Sequence, residues 1–473
     1  MRAVEKGLMD YLESYVKACP DEVFLYSETE SYTTKKLYAT MQSMAALLQG
    51  KGIRQGDYVG ISGTRTIKAV IIFLATQYLG AVAVLFDPHS PVEKCMEELG
   101  INIDLKLIVA MTEDGFSIGG EAVRFDPLTF IIEKPSIDIH APAIVIFTSG
   151  STGKNKGVVL SQYGYVNHQR NFSPVGGYTE HDSAIQLLPI FHVFGLAQIV
   201  DGIFHHCPLF FPKEVTPEYV LQCIEKYGFT RFGFVPSFAL KMADVKQEKH
   251  YNTDSLKAVV LAGAPSTFEQ FLYIQETLGV KIVPAYGMTE LAGISGASPE
   301  ETDEKRASSV GKILPLTKVR IEDDGEITVK APSLFLGYYG EPPVSRKKFF
   351  HTGDLGFIDE DGFLHVTGRK KDIIIRNGNN LSSLDIEQKL MKLPFIKTAA
   401  VVGVKDQASG EVPVAAVVLK KGAVYDKEAI KTVLSKIEMP KKIMIIDQIP
   451  INASGKIDKK KIGELFHARQ RNI

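Results

Sequence analysis

The stretch Phe147-Thr-Ser-Gly-Ser-Thr-Gly-Lys-Asn-Lys-Gly157 constrains this chain more than any other. It packs hydroxyls, glycines and two lysines between the apolar runs Ala143-Ile-Val-Ile-Phe147 and Gly157-Val-Val-Leu160. Glycine lets backbone approach an anion closely, hydroxyls and amides donate hydrogen bonds, and lysine adds positive charge, so such a loop can surround phosphates. Both flanks read as strands. The Gly-x-x-x-x-Gly-Lys-Ser/Thr phosphate loop instead opens a helix and is spaced differently, which counts against a P-loop kinase or ATPase. Taken alone, the loop also reads as a solvated turn.

Further short runs rich in Val, Ile and Phe alternate with helical periodicity, for example Tyr58-Val-Gly-Ile-Ser62, Phe232-Gly-Phe-Val235 and Lys257-Ala-Val-Val-Leu261. The pattern predicts an α/β architecture. The apolar stretch 68–86 is broken by Thr76, Gln77 and Gly80, and reads as a buried helix followed by a core strand, with no membrane span. A small β region begins near Val319-Arg-Ile-Glu322 and Glu326-Ile-Thr-Val-Lys330, joined by the turn Asp323-Asp-Gly325. After Phe363-Leu-His-Val-Thr367, the charged segment Gly368-Arg-Lys-Lys-Asp372 reads as a surface linker into a compact α/β tail with strands Ala399-Ala-Val-Val402 and Val414-Ala-Ala-Val-Val-Leu419. A large domain of α/β subdomains plus the β region, residues 1–369, is therefore expected before a small mobile α/β domain, 370–473.

A length of 473 residues suffices for several cores, and a formal net charge of -1 gives no global attraction to nucleic acid or an anionic membrane. Cys19, Cys95, Cys207 and Cys223 lie too far apart for a zinc site or a disulfide framework, and the amino terminus lacks a signal-peptide pattern, so a cytoplasmic location is expected.

More strings carry candidate chemistry: Pro189-Ile-Phe-His-Val-Phe-Gly195, Ala262-Gly-Ala-Pro265, Tyr286-Gly-Met-Thr-Glu290, Thr352-Gly-Asp354, Gly368-Arg-Lys-Lys-Asp372 and Ile449-Pro-Ile-Asn-Ala-Ser-Gly-Lys456. With the loop at 147–157, and with Gly56-Asp-Tyr-Val59 and 79–88 as packing motifs, they resemble, in order, the signature segments of the adenylate-forming superfamily of acyl-CoA synthetases, adenylation domains and luciferases. The resemblance runs from about residue 32 to about residue 460. One departure is Asn155, where the family usually has proline, which would mainly stiffen the turn.

The resemblance implies activation of a carboxylic acid with ATP as an acyl-adenylate, then acyl transfer to a thiol, with CoA as acceptor and Mg²⁺ as cofactor. A place in fatty acid metabolism goes with that expectation. Thr148, Ser149, Gly150, Ser151, Thr152, Gly153 and Lys156 would surround the phosphates. Gly263, Ala264, Pro265, Tyr286, Gly287, Met288 and Thr289 would form the nucleotide pocket, with Thr289 donating to the α-phosphate and Glu290 offering a hard oxygen to Mg²⁺. Asp354 would accept both ribose hydroxyls, and Arg369 would add a ribose or phosphate contact. His192 would line the acyl pocket; read unaided, it is a satisfied core side chain. Lys371 marks the hinge, Gly378 leaves room for a pantetheine arm, and Lys456 is the lysine that enters the site for adenylation. The aspartate that binds the substrate ammonium in amino-acid-activating relatives is missing from 188–195, which disfavours an amino acid substrate.

An acyl carrier protein is the rival acceptor, since such ligases share every motif. A catalytically silent nucleotide-binding protein would require the loss of Lys456, Glu290 or Asp354, and none is lost. Nothing calls for luciferase-type oxygen chemistry. Acyl identity and oligomeric state stay open.

Overall fold

The computed structural model describes residues 1–63, 65–87, 92, 96–97, 103–111, 115–123, 132–149, 155–451 and 457–468, with backbone alone at 149, 155, 467 and 468. Its architecture is α/β, with a large N-terminal and a small C-terminal domain. The phosphate-loop candidate joins two antiparallel strands, Pro142–Ser149 and Asn155–Ser161, in which Thr148 faces Lys156. Parallel strands Val82–Phe86, Tyr58–Ser62 and Leu105–Met111 extend this sheet away from the loop. The helix Ile67–Tyr78 links two of them and is buried on nearly every side, which is why it is apolar all round. Gly80, at φ +68°, turns the chain into the following strand, as its position between the two runs implies.

A second sheet is built around parallel strands Ala184–Ile185, Arg231–Phe234, Ala258–Leu261 and Lys281–Met288. The chain then reverses through residues 289–291 into the antiparallel strand Ala292–Gly296. Segments 189–195, 262–265 and 286–290 all lie at the carboxyl end of this parallel set. Open α/β sheets bind ligands at that edge.

The expected β region is a four-stranded antiparallel sheet of Lys318–Ile321, Glu326–Lys330, Phe350–Ile358 and Leu364–Arg369. Gly325, at φ +83°, makes the turn read from the sequence. The segment 368–372 is more ordered than a linker: Gly368 and Arg369 complete the last strand, and Lys370–Asp372 form a 3₁₀ turn. Register explains this, because Arg369 stands opposite Asp354 and ion-pairs with it, while Lys370 pairs with Asp324 and Glu326.

The tail has its own sheet, dominated by the antiparallel pair Ile396–Asp406 and Gly410–Leu419. Their residues alternate between two cores: Ala399, Val401, Ala415 and Val417 pack with Ile386 and Leu390 of one helix, whereas Ala400, Val402, Val414 and Ala416 pack with Ile462 and Phe466 of another. Both faces are covered, so these strands read as unbroken apolar runs instead of alternating ones. Cys19, Cys207 and Cys223 are free thiols, and Cys95 lies outside the described residues. Among the described residues no helix is long and apolar enough to cross a membrane.

Candidate active site

Three segments far apart in sequence meet around one carboxylate. Asp354 is buried at 3% exposure; its Oδ2 accepts from Tyr286 Oη at 2.7 Å and its Oδ1 faces Arg369 Nε at 2.8 Å. The Asp354 N–H donates to Thr352 Oγ1, and Thr352 Oγ1 donates to the Ile327 carbonyl, so the loop carrying the acid is fixed to the β sheet beneath it. Burial, then the Asp354 charge, pushes the Tyr286 hydroxyl well above the usual phenol range, so Tyr286 stays a donor. A carboxylate has room for about four hydrogen bonds, and two here are spoken for.

Glu290 sits in the turn after Met288 and is also buried. Its Oε1 accepts from Tyr338 Oη at 2.8 Å, and its carbonyl accepts from the Phe335 N–H. Lys156 Nζ lies 4.1 Å above the Tyr338 ring and pairs with Glu341, so the strand leaving the loop touches the Glu290 support directly. Among the described residues no group hydrogen-bonds Glu290 Oε2. A single buried carboxylate with a free oxygen fits Mg²⁺ shared with substrate phosphates, whereas a cage of three or more protein ligands is absent among the described residues. Tyr338 was not picked out from the sequence; the repeated tyrosine in Gly337-Tyr-Tyr-Gly340 gives no hint which ring faces Glu290.

Gly287 is needed for the reversal. A Cβ there would stand 1.9 Å from the Ala292 carbonyl oxygen. Gly195 is held likewise: its Cβ would lie 2.1 Å from the Pro189 carbonyl, and buried Gln186 ties the turn with bonds to the Leu188 and Gly195 carbonyls. This turn delivers His192 to the cap of the helix Val193–His205, its ring 4.6 Å from that of Phe191. Gly263 takes φ +86° directly after the strand Ala258–Leu261, which brings Ala264 and Pro265 to the same sheet edge.

Lys371 is exposed in the 3₁₀ turn, two residues from Arg369. Gly378, at φ +79°, follows Asn377 at φ +50° in a tight exposed turn between Ile373–Arg376 and Asn379–Ser382. The structure thus joins Tyr286, Asp354 and Arg369, and brings Glu290 to Lys156, but no contact links Gly378 to either group. Thr148 lies in the loop-flanking strand, and Ser149 is described by its backbone. Gly150, Ser151, Thr152, Gly153 and Lys456 lie outside the described residues.

A narrow cavity is lined by His168, Gln169, Ser333, Leu160, Val193 and Ala292, among others. Reading by motif missed its polar lining. The only signal was helical spacing: Tyr165, His168, Gln169 and Phe172 share the buried face of Gln162–Gly176, where polar residues are out of place. His168 Nδ1 accepts from the Gly293 N–H at 3.1 Å, and burial lowers its pKa to about 4, so the ring is neutral with its proton on Nε2. The sign is definite: the folded value lies below the ordinary 6.5, so the unfolded chain takes up the proton first. Stability is then complete above about pH 6.5 and declines towards pH 4, by about 1.4 kcal/mol per pH unit from this group. Melting curves from pH 7.5 to 5 should show a steeper loss for the parent protein than for His168→Gln, which has no proton to gain.

The family model for AMP-binding enzyme matches residues 12–339, and that for the AMP-binding enzyme C-terminal domain matches 385–456. A 2-succinylbenzoate–CoA ligase of Listeria innocua is 29% identical over 476 residues, covering 97% of this chain and 99% of the relative. The o-succinylbenzoate CoA synthetase of Bacillus subtilis, solved with its acyl-adenylate intermediate, superposes with TM-score 0.81 at 26% identity, over 97% of this chain and 98% of that one. The same enzyme holding ATP and a magnesium ion gives TM-score 0.79 at 26% identity, over 94% and 98%.

Proposed function

The chain belongs to the AMP-binding enzyme family, and from that premise we propose a division of labour among its residues. It is an ATP-dependent acid–thiol ligase that forms an acyl-adenylate and passes the acyl group to CoA. The observation that carries the site assignment is the convergence of Tyr286 and Arg369 on the Asp354 carboxylate, together with the Glu290–Tyr338–Lys156 group.

In the first half-reaction a carboxylate oxygen of the acid attacks the α-phosphorus of ATP, and the bond to pyrophosphate breaks. The chain's task is to hold two anions in line and to offset their charge. Asp354 holds the ribose, and Tyr286 and the Gly263–Pro265 turn frame the adenine. Thr148 and Lys156, with loop residues Ser149 to Gly153, hold phosphates, and Thr289 donates to the α-phosphate. Glu290 would hold Mg²⁺, which when bound offsets phosphate charge. His192 borders the acyl group. Lys456 bridges the acid and the reacting phosphate. In the second half-reaction the CoA thiolate attacks the acyl carbon and the bond to AMP breaks. With a boundary between 369 and 370, turning about Lys371 would withdraw Lys456 and bring the Gly378 turn to the pantetheine arm. An exposed lysine pivot can turn without opening a core.

The relatives direct attention to aromatic keto acids such as 2-succinylbenzoate, and fit a place in fatty acid metabolism less well. The test is pyrophosphate release with ATP and Mg²⁺ across aliphatic and aromatic acids, with and without CoA. Acid-dependent release with acyl-CoA appearing is the expected result. Adenylate without thioester would move the acceptor to a carrier protein, and no release with any acid would sink the reading.

A further inference from the structure

We propose that Lys397 of the C-terminal domain, paired with Asp244 of the N-terminal domain, is an electrostatic latch that keeps the Gly378 turn away from the nucleotide site until the second half-reaction. This rests on the two-step reading above and names a control on its turning step.

A net charge near zero conceals a division within the chain. Residues 1–369 carry 34 Lys and Arg against 44 Asp and Glu, whereas residues 370–473 carry 20 against 11. The two parts therefore stand at -10 and +9 on either side of the domain boundary. Opposite charges of this size attract one another across about 10 Å at 0.1 M salt, and the attraction weakens as salt is added.

Little else holds the domains in their present orientation. Among the described residues every apolar cluster belongs to one domain alone: four draw on residues before Lys371 and two on residues after it. Two polar contacts cross that pivot. Ser382 Oγ donates to the Thr367 carbonyl at 2.7 Å, beside the pivot in sequence. Lys397 Nζ, well beyond it in sequence, lies 3.4 Å from Asp244 Oδ2 and makes the one ion pair among the described residues that joins the chain before the pivot to the chain after it.

Both partners are set for this contact. Tyr273 Oη donates to Asp244 Oδ1 at 3.1 Å, which fixes the carboxylate on the helix Pro236–Lys249. Lys397 opens the strand Ile396–Asp406 close to Lys392, which caps the preceding helix, and to Lys420, whose N–H donates to the Phe395 carbonyl. Lys392, Lys420 and Lys421 are exposed and make no ion pair among the described residues, so this end of the domain presents surplus positive charge. The Gly378 turn meanwhile touches nothing: no atom lies within 4 Å of the place a Gly378 Cβ would take. One exposed ion pair shifts an equilibrium by up to about fivefold, a size that suits a contact which must open in every turnover.

The experiment places spin labels, through p-acetylphenylalanine, at His181 and Glu464, exposed positions of the two domains, and reads their separation by pulsed electron resonance. At low salt one separation should dominate in the parent. Lys397→Gln should raise the ratio of the second separation to the first by about threefold and Lys397→Glu by about tenfold, and 0.5 M sodium chloride should act on the parent as glutamine does. Asp244→Lys should repeat the shift of Lys397→Glu; Tyr273 keeps a second acceptor in Gln247, which protects the fold. The exchanged pair, Lys397→Glu with Asp244→Lys, should return most of the population to the first separation, a recovery that general loss of packing does not produce. Populations indifferent to Lys397→Glu, or an exchange that restores nothing, would overturn the proposal. Titration with CoA in the presence of AMP reads the link to catalysis. While the second arrangement is the minor one, the CoA needed to populate it should fall about tenfold in Lys397→Glu. Equal CoA requirements in parent and variant would overturn the control of turning. If CoA moves the labels in neither, while the exchange still restores the first separation, the CoA-acceptor reading fails and the latch stands.

Discussion

Lys456→Ala lowers acid-dependent pyrophosphate release by about 10²–10³-fold, the usual cost of removing one preorganised donor from developing charge. The same variant, given preformed acyl-adenylate and CoA, makes thioester at close to the parent rate. This split distinguishes a travelling catalytic lysine from a structural one, since only the first half-reaction uses it. The neighbouring basic residues provide the contrast. Lys459 is committed to the C-terminal domain, with Nζ 2.7 Å from Ser383 Oγ, 3.3 Å from Glu387 and 3.5 Å from Asp372. Lys460 is exposed at the start of the last helix, so Lys460→Ala should leave both half-reactions within about twofold, as surface substitutions generally do. Lys456→Arg keeps the charge but presents a planar fork in place of a point charge, and should recover only part of the loss. Equal loss in both half-reactions would remove Lys456 from the adenylation step.

Local chemistry made parts of this molecule legible before any coordinates. The turn at Asp323-Asp-Gly325 and the break at Gly80 each rest on a glycine between two patterned runs, and such signals depend on neighbours in sequence. The strand after the phosphate loop was legible for the same reason, because Gly157-Val-Val-Leu160 cannot begin a solvated helix. Asp354 was picked out as the acceptor of the ribose hydroxyls, and Arg369 as a ribose or phosphate contact. Their pairing was not, because it follows from antiparallel register across two strands. Tyr338 was hidden for a similar reason. It reaches Glu290 because Gly337–Tyr338 pairs with Val158 and Val159 of the strand leaving the loop, a long-range match that no local pattern announces. Gln169 and Ser333 look ordinary where they stand, and only the structure shows that Gln169 Oε1 and Ser333 Oγ are buried without a protein partner.

Asp354→Ala should raise the KM for ATP by about 10²–10⁴-fold. Each hydrogen bond to a charged acceptor contributes about 1.5–3 kcal/mol, and the variant removes the acceptor of two ribose hydroxyls. The buried carboxylate also serves the protein, because Tyr286 Oη and Arg369 Nε would lose their partner. A lower melting temperature is therefore expected as well, and the two effects must be separated. Asp354→Asn does part of this. Its amide oxygen can still accept from Arg369 and its NH₂ can donate to Tyr286, which can act as acceptor, so the fold is retained while one ribose acceptor is lost. The variant should lie between the parent and alanine in KM yet melt close to the parent. The decisive comparison uses 2′-deoxy-ATP. The parent should bind it about tenfold more weakly than ATP, and Asp354→Ala should hardly distinguish the two nucleotides, since the group that reads the hydroxyl is gone. If alanine keeps the full preference for ATP, Asp354 acts only through Tyr286 and Arg369, and the ribose must be held elsewhere.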